Sequence, residues 1–191
     1  MHEELFNALL YLKVHELRDF CVRLKIPKEG EKIILIEKIQ HYILTGKILE
    51  TKKIPAISKA QSKITYPLAP NTPILHGSFK NDLKTRVFLK SLIGNHFHYT
   101  AFGIDWIKDR WFKGAPPTYR EFAEYWQKEY IARQKTKGAL KPEWAYLNYL
   151  ETYKQENPNA SQADALSSWK KFREKQYKIV KSILDPIIDS L

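Results

Sequence analysis

Residues 12–39 decide the fold of this chain. They read Leu-Lys-Val-His-Glu-Leu-Arg-Asp-Phe-Cys-Val-Arg-Leu-Lys-Ile, then Pro-Lys-Glu, then Gly-Glu-Lys-Ile-Ile-Leu-Ile-Glu-Lys-Ile. The apolar residues of both halves recur at helical spacing, and a short loop with proline and glycine separates them. The stretch therefore predicts two short amphipathic helices joined by a tight loop.

The second of these helices is apolar on more than one face. Ile33 and Ile34 add to its core positions, so a free-standing pair of helices would leave one of them exposed. Upstream, Leu5, Phe6 and Leu9 also recur at helical spacing. We therefore expect an additional N-terminal helical segment that packs against the second helix.

Basic residues cluster around the loop. The N–H groups at the start of the second helix carry partial positive charge, and Gly30 lets the backbone approach a ligand closely. This combination suits a phosphate group. The predicted contact residues are His15, Arg18, Lys28, Gly30 and Lys32. A purely structural helix hairpin with a solvated basic face is the alternative.

The same stretch resembles the SAP module, a small helix-loop-helix that binds DNA. The residues that carry the resemblance are Leu12, Val14, Glu16, Leu17 and Arg18, then Gly30, Lys32, Leu35, Ile36, Lys38 and Ile39. The resemblance implies non-enzymatic binding of DNA, mainly through phosphates.

Two positions depart from the family pattern. Lys13 replaces a capping Thr, so we expect the first helix to start further upstream, and Lys25 replaces a turn Gly, so we expect a strained or differently built turn.

Composition favours a polyanionic partner. The 191 residues include 32 Lys and Arg against 21 Asp and Glu, a net charge of +11. Divided after Lys63, the chain has 12 basic and 8 acidic residues before that point and 20 and 13 after it, so neither half alone carries the excess.

Cys21 is the single cysteine, which fits a reducing compartment. The acidic start of the chain does not favour a signal peptide, and no apolar run suits a bilayer. We expect a cytoplasmic protein without membrane contact, nucleoid-associated if bacterial.

We predict an all-α fold with three regions: the SAP-like module at 1–48, a linker rich in proline and lysine at 49–74, and a helical domain at 75–191. An ordered strap is the alternative for the linker, because Ile64, Tyr66 and Leu68 are too apolar for a free tether. The apolar tail at 183–191 is expected to dock on the helical domain or on a second subunit.

From about Leu75 the chain resembles an uncharacterised bacterial domain that is often fused behind SAP modules. The resemblance rests on Ser78-Phe-Lys-Asn-Asp82, Arg86-Val-Phe-Leu-Lys90 and Ile93-Gly-Asn-His-Phe-His-Tyr-Thr100, with Asn157-Pro158, Ser161, Asp164-Ala165 and Trp169. It implies an association with DNA but no activity.

Within this region, Thr118-Tyr-Arg-Glu121 and Ser161-Gln-Ala-Asp164 are both capping boxes, each followed by a Trp eight residues after its cap. A duplicated helical hairpin explains the match, and convergence on common capping chemistry is the alternative.

No pattern favours catalysis or a cofactor. His96 and His98 lack the further ligands that a tetrahedral metal site needs, and the close carboxylate pairs sit among lysines and arginines. Trp106, Trp126 and Trp169 interleave with basic residues, and we interpret these rings as core. The lysines beside them, Lys113, Lys170 and Lys171, are predicted secondary DNA contacts. A protein-interaction scaffold that uses the apolar tail and the aromatic helical domain is the alternative function.

Overall fold

The structure, a computed structural model, describes residues 2–135 and 140–191. These ranges contain eight α-helices, a 3₁₀ turn at Ala56–Ser58 and no strand, so the predicted all-α class is confirmed. The helices are α1 (His2–Leu9), α2 (Val14–Arg23), α3 (Lys32–Thr45), α4 (Leu83–Ile93), α5 (Ala101–Phe112), α6 (Tyr119–Lys135), α7 (Ala145–Glu156) and α8 (Gln162–Asp189). None of these eight helices combines the length and the apolar character that crossing a bilayer demands.

Two compact units divide the chain differently from the sequence prediction. The terminal unit combines Met1–Glu50 with Ala139–Leu191, and the central unit is Thr51–Gly138. The predicted domain at 75–191 is therefore split between them, and its residues 136–139 lie outside the described ranges. α8 belongs to the terminal unit because it covers an apolar face of the N-terminal helices. The order of the helices along the chain did not show this contact.

The core of the terminal unit joins helices from both ends of the chain. Leu5 and Leu9 of α1 are fully buried, which confirms the predicted N-terminal helical segment. Val180 and Leu184 of α8 are buried in the same cluster. Cys21 is also buried there, and burial raises the pKa of its thiol to about 11. The apolar tail packs on this core through Ile183, Ile187 and Ile188, so it docks on its own chain.

Polar contacts tie α8 to α2 along one side. The Arg173 guanidinium pairs with the Glu16 carboxylate, and one helical turn further on Phe20 contacts Tyr177, with ring centroids 6.2 Å apart. Arg23 Nη2 lies 2.7 Å from Asp185 Oδ1. The spacing of these three α2 residues places them on one helix face, so side chains of α8 reach that face over about two turns of α2.

The helix-loop-helix begins at a different residue from the one predicted, whereas its turn has the strained backbone that was expected. α2 begins at Val14 rather than further upstream, and no side chain caps it at Lys13. The Glu16 carboxylate instead accepts a bond from the Lys13 N–H at 2.6 Å, just before the helix begins. Lys25 adopts a left-handed φ of 57°, the conformation that glycine takes without strain. The buried Lys38 ammonium donates to the Glu29 carbonyl at 2.6 Å and so fixes the loop.

The central unit has an aromatic core closed by a strap. Trp111, Tyr119, Phe122 and Trp126 lie in this core together with Leu68 and Ile74, which belong to the segment predicted as a linker. The strap is tied by backbone bonds from His76 N to Ser58 O at 2.8 Å and from Ile74 N to Pro117 O at 2.7 Å. Trp111 Nε1 donates to Ile74 O at 2.7 Å. Residues 51–74 therefore form an ordered strap, which was the alternative prediction to a free linker.

Each unit contains one of the two hairpins compared in the sequence. Both consist of a helix, a proline-containing turn and a helix opened by a capping box: Thr118 with Glu121, and Ser161 with Asp164. Corresponding contacts also occur across the hairpins, since Trp106 stacks on Tyr125 at 4.4 Å and Tyr149 Oη lies 2.6 Å from Ser168 Oγ. A common origin of the hairpins stays a prediction.

Candidate nucleic-acid interface

Four of the five predicted phosphate contacts lie on the surface of the helix-loop-helix. His15 and Arg18 are exposed on α2, and Lys28 and Gly30 are exposed in the loop. Gly30 has a φ of 128°, and a Cβ there would lie 3.0 Å from Ile34 Cγ2, so the position requires glycine. The loop therefore offers backbone and cationic groups to a ligand at the start of α3.

Lys32, the fifth predicted contact, points into the protein. Its ammonium donates to Leu10 O at 2.6 Å and to Glu143 O at 3.3 Å. Burial lowers the pKa of Lys32, since little water reaches the charged group. The carbonyl groups at the end of α1 and before α7 bind this lysine, and the sequence pattern did not show them. Lys32 would have to release both bonds before it contacted a phosphate.

A cavity of about 540 Å³ adjoins Lys32 in the terminal unit. Its wall is mostly apolar and includes Tyr11, Trp144 and Trp169, with Arg173 beside them. Burial raises the pKa of Glu16, but bonds from the Arg173 guanidinium and the Lys13 N–H lower it further than burial raises it. Glu16 therefore stays ionised and pairs with Arg173 beside the cavity.

Positive charge is concentrated in the central unit. This unit carries 16 Lys and Arg against 6 Asp and Glu, a net charge of +10. The terminal unit carries 16 against 15, a net charge of +1. The division after Lys63 hid this asymmetry, because it assigned the neutral C-terminal helices to the basic part of the chain.

The first part of the central unit holds a single acidic residue. Residues 51–104 contain eight Lys and Arg, and Asp82 is their one carboxylate. Asp82 caps α4: its oxygens accept bonds from the Tyr66 hydroxyl at 2.5 Å and the Thr85 N–H at 2.8 Å. These two bonds lower the pKa of Asp82 to about 2. The other charged side chains of this segment are all cationic, which the sequence alone shows.

The exposed face of α4 mixes cationic and apolar side chains. Leu83 and Val87 are exposed, with Lys84 on one side of them and Arg86 and the half-buried Lys90 on the other. Lys84 Nζ lies 5.1 Å from the centre of the Tyr66 ring, and Arg86 Cζ lies 5.8 Å from that of Tyr99. The aromatic rings hold these cations at the surface, where a phosphate backbone can reach them.

The predicted secondary contacts differ in their surroundings. Lys113 is exposed, but its ammonium lies 2.7 Å from Asp109 Oδ2. Lys170 and Lys171 are exposed on α8, Lys171 opposite its buried face and Lys170 at the edge of that face. Lys113 must therefore exchange an ion pair before it binds a phosphate, whereas the two α8 lysines have no ion pair within the described residues.

The aromatic and histidine clusters serve packing. Trp126 is fully buried and its indole N–H donates to Thr100 Oγ1 at 3.1 Å, while Trp106 and Trp169 are half-buried against neighbouring rings. His96 and His98 are both exposed and both contact the ring of Trp126. Within residues 2–135 and 140–191, no group of three His, Cys, Asp or Glu side chains could hold a metal ion.

No protein-family model matches this chain, and no significant match occurs among curated proteins or solved structures.

Proposed function

We propose that this chain is a non-enzymatic nucleic-acid-binding protein whose partner is DNA. The observation that carries the proposal is the concentration of charge, +10 in the central unit against +1 in the terminal unit. Cations that replace condensed counterions along a phosphate backbone supply most of the affinity of such proteins and make it strongly dependent on salt. The acid-poor segment at 51–104 provides this attraction.

The SAP-like helix-loop-helix has a more local role in this proposal. Arg18, Lys28 and the backbone around Gly30 contact phosphate groups at the start of α3, where the helix dipole favours an anion. Lys32 instead holds α1 and the segment before α7 in place. Such contacts position the protein on DNA without reading its sequence.

The alternative function, a protein-interaction scaffold, loses one of its two docking surfaces. The apolar tail at 183–191 packs against the core of its own unit, and Leu191 is its one strongly exposed apolar side chain. A scaffold would have to use other surfaces of the helical hairpins.

Fluorescence anisotropy with labelled duplex DNA, single-stranded DNA and RNA, titrated with salt, tests the proposal. Two variants remove the same charge from different units: Lys84→Gln with Lys90→Gln, and Lys170→Gln with Lys171→Gln. We expect the central pair to lower the slope of log affinity against log salt by roughly 1.8, which corresponds to two phosphate contacts. We expect a smaller effect from the α8 pair.

Absence of binding to all three nucleic acids at low salt would refute the proposal. Equal losses from the two pairs would show that the charge of the central unit does not decide affinity. A Lys28→Glu variant tests the loop separately, and we expect it to weaken binding without lowering the thermal midpoint.

A further inference from the structure

A second cavity lies within the central unit, beneath an arch of chain. The arch is formed by residues 60–67, and the opposite wall comes from residues 72–78 and Tyr119. The cavity has a volume of about 310 Å³, which is at the lower end of the range for small-molecule sites. Its size suits one small planar group.

The arch is fixed at both ends. At its start, Ala60 N–H donates to His76 O at 2.9 Å. At its end, the Tyr66 hydroxyl bonds Asp82 and Thr85, and Leu68 enters the core immediately afterwards. The cavity is thus part of the folded unit and is not a gap beneath a loose loop.

Polar side chains in the wall are of two kinds. Thr72 Oγ1 accepts a bond from Ala69 N–H at 3.1 Å, and Ser78 Oγ donates to Leu75 O at 3.2 Å, so these hydroxyls maintain the shape of the wall. The other four form no hydrogen bond with any residue that the structure describes, and they are Gln61, Ser62, Thr65 and Tyr119. Gln61, Ser62 and Thr65 are exposed, so their polar groups are open to a ligand, whereas Tyr119 is 99% removed from solvent and reaches the cavity over a small area.

The surroundings favour an anionic ligand with an apolar, flat body. Ile64, Pro67, Pro73 and Leu75 provide apolar surface, and Lys63 lies in the wall of the cavity. Asp82 is the single acidic residue in 51–104, and its carboxylate is already bound. A nucleobase has polar edges for the free amide and hydroxyl groups and flat faces for the apolar wall, and its phosphate can reach a lysine.

We propose that this cavity binds a nucleotide, with the base beneath the arch and the phosphate near Lys63. The nucleotide comes either from a strand, in which case the inference rests on the proposed function, or from a free nucleoside monophosphate. In a strand, the bound base must be unstacked, so single strands bind this site better than duplexes.

Isothermal titration of the full chain with AMP, GMP, CMP and UMP tests the site, with ribose 5-phosphate as a probe that lacks a base. We expect at least one nucleotide to bind more tightly than ribose 5-phosphate. Tyr119→Phe removes the hydroxyl and keeps the ring, and we expect it to weaken that binding about 2- to 10-fold. Thr65→Trp, at an exposed position of the arch, fills the cavity and abolishes the binding.

Lys52→Gln is the matched control, since it removes one positive charge from the same unit outside the cavity wall. It leaves mononucleotide binding unchanged, whereas Lys63→Gln weakens it. Thermal unfolding confirms that each variant is folded, and Thr65→Trp decides the question if Tyr119→Phe is unstable.

The outcomes separate this inference from the proposed function. If no mononucleotide binds more tightly than ribose 5-phosphate, or if Thr65→Trp leaves binding intact, the nucleotide site is refuted even when strands bind. If mononucleotides bind but no strand does, the site is one for free nucleotides and the proposed function fails. If mononucleotides compete with a single strand, and Thr65→Trp weakens both, the source is a base of the strand.

Discussion

Replacing Lys32 with methionine should destabilise the terminal unit and leave nucleic-acid affinity almost unchanged. The ammonium donates to Leu10 O at 2.6 Å and to Glu143 O at 3.3 Å, and hydrogen bonds from a charged donor contribute about 1.5–3 kcal/mol. The cost of burying the ammonium, which lowers its pKa, offsets part of this gain. Methionine has no such cost but leaves both carbonyl groups without their donor. We expect a net loss of about 1–3 kcal/mol.

Urea unfolding followed by circular dichroism measures this loss, and Lys28→Met is the matched control. Lys28 is exposed in the same loop, so its replacement should change the free energy of unfolding by less than about 0.5 kcal/mol. It should also lower the salt slope of DNA binding by roughly 0.9, because one phosphate contact disappears. The reasoning is refuted if Lys32→Met keeps its stability and instead shows the reduced salt slope.

Three further predictions concern α2 and the strap. The contribution of Glu16 to stability should be complete above its unfolded-state pKa of 4.5. It should be lost as the pH falls through the lower pKa of the folded state. In an acid titration of stability, the Glu16→Gln variant should not show this loss. Lys25→Gly should raise the free energy of unfolding by about 0.5–1 kcal/mol, since glycine relieves the left-handed strain at φ 57°, whereas Lys25→Ala should bring no gain in the same urea titration. Tyr66→Phe should raise the pKa of Asp82 from about 2 toward 3.8, which an NMR titration of its carboxyl carbon will follow; an unchanged value would show that the Tyr66 hydroxyl is not the cause.

Local features of the fold could be predicted because their causes are local. The helical spacing of Leu5 and Leu9, the capping boxes at Thr118 and Ser161, and the glycine at position 30 each depend on residues within one or two turns. The start of α2 was predicted wrongly, because the helix begins at Val14 without a side-chain cap, and the Glu16 carboxylate binds the Lys13 N–H there.

Contacts between distant parts of the chain could not be predicted in this way. The apolar stripe of α8 showed that Val180 and Leu184 need a cover, but it did not show that α1 and α2 provide it. The direction of the Lys32 side chain depends on Leu10 O and on Glu143 O, more than 100 residues away. The charge of the candidate interface was hidden for the same reason, since it becomes clear only when the two ends of the chain are counted together.

The division of the terminal unit between both ends of the chain sets the order in which the protein can fold during synthesis. Ribosomes add about 5–20 residues per second, so the segment from Thr45 to Leu184 takes roughly 7–28 s to appear. During that interval Leu5, Leu9 and Phe20 lack the helix that covers them, while the central unit, which is continuous in sequence, can complete its core. The first helices made are thus among the last to be buried, and the nascent chain exposes an apolar surface that a chaperone could bind.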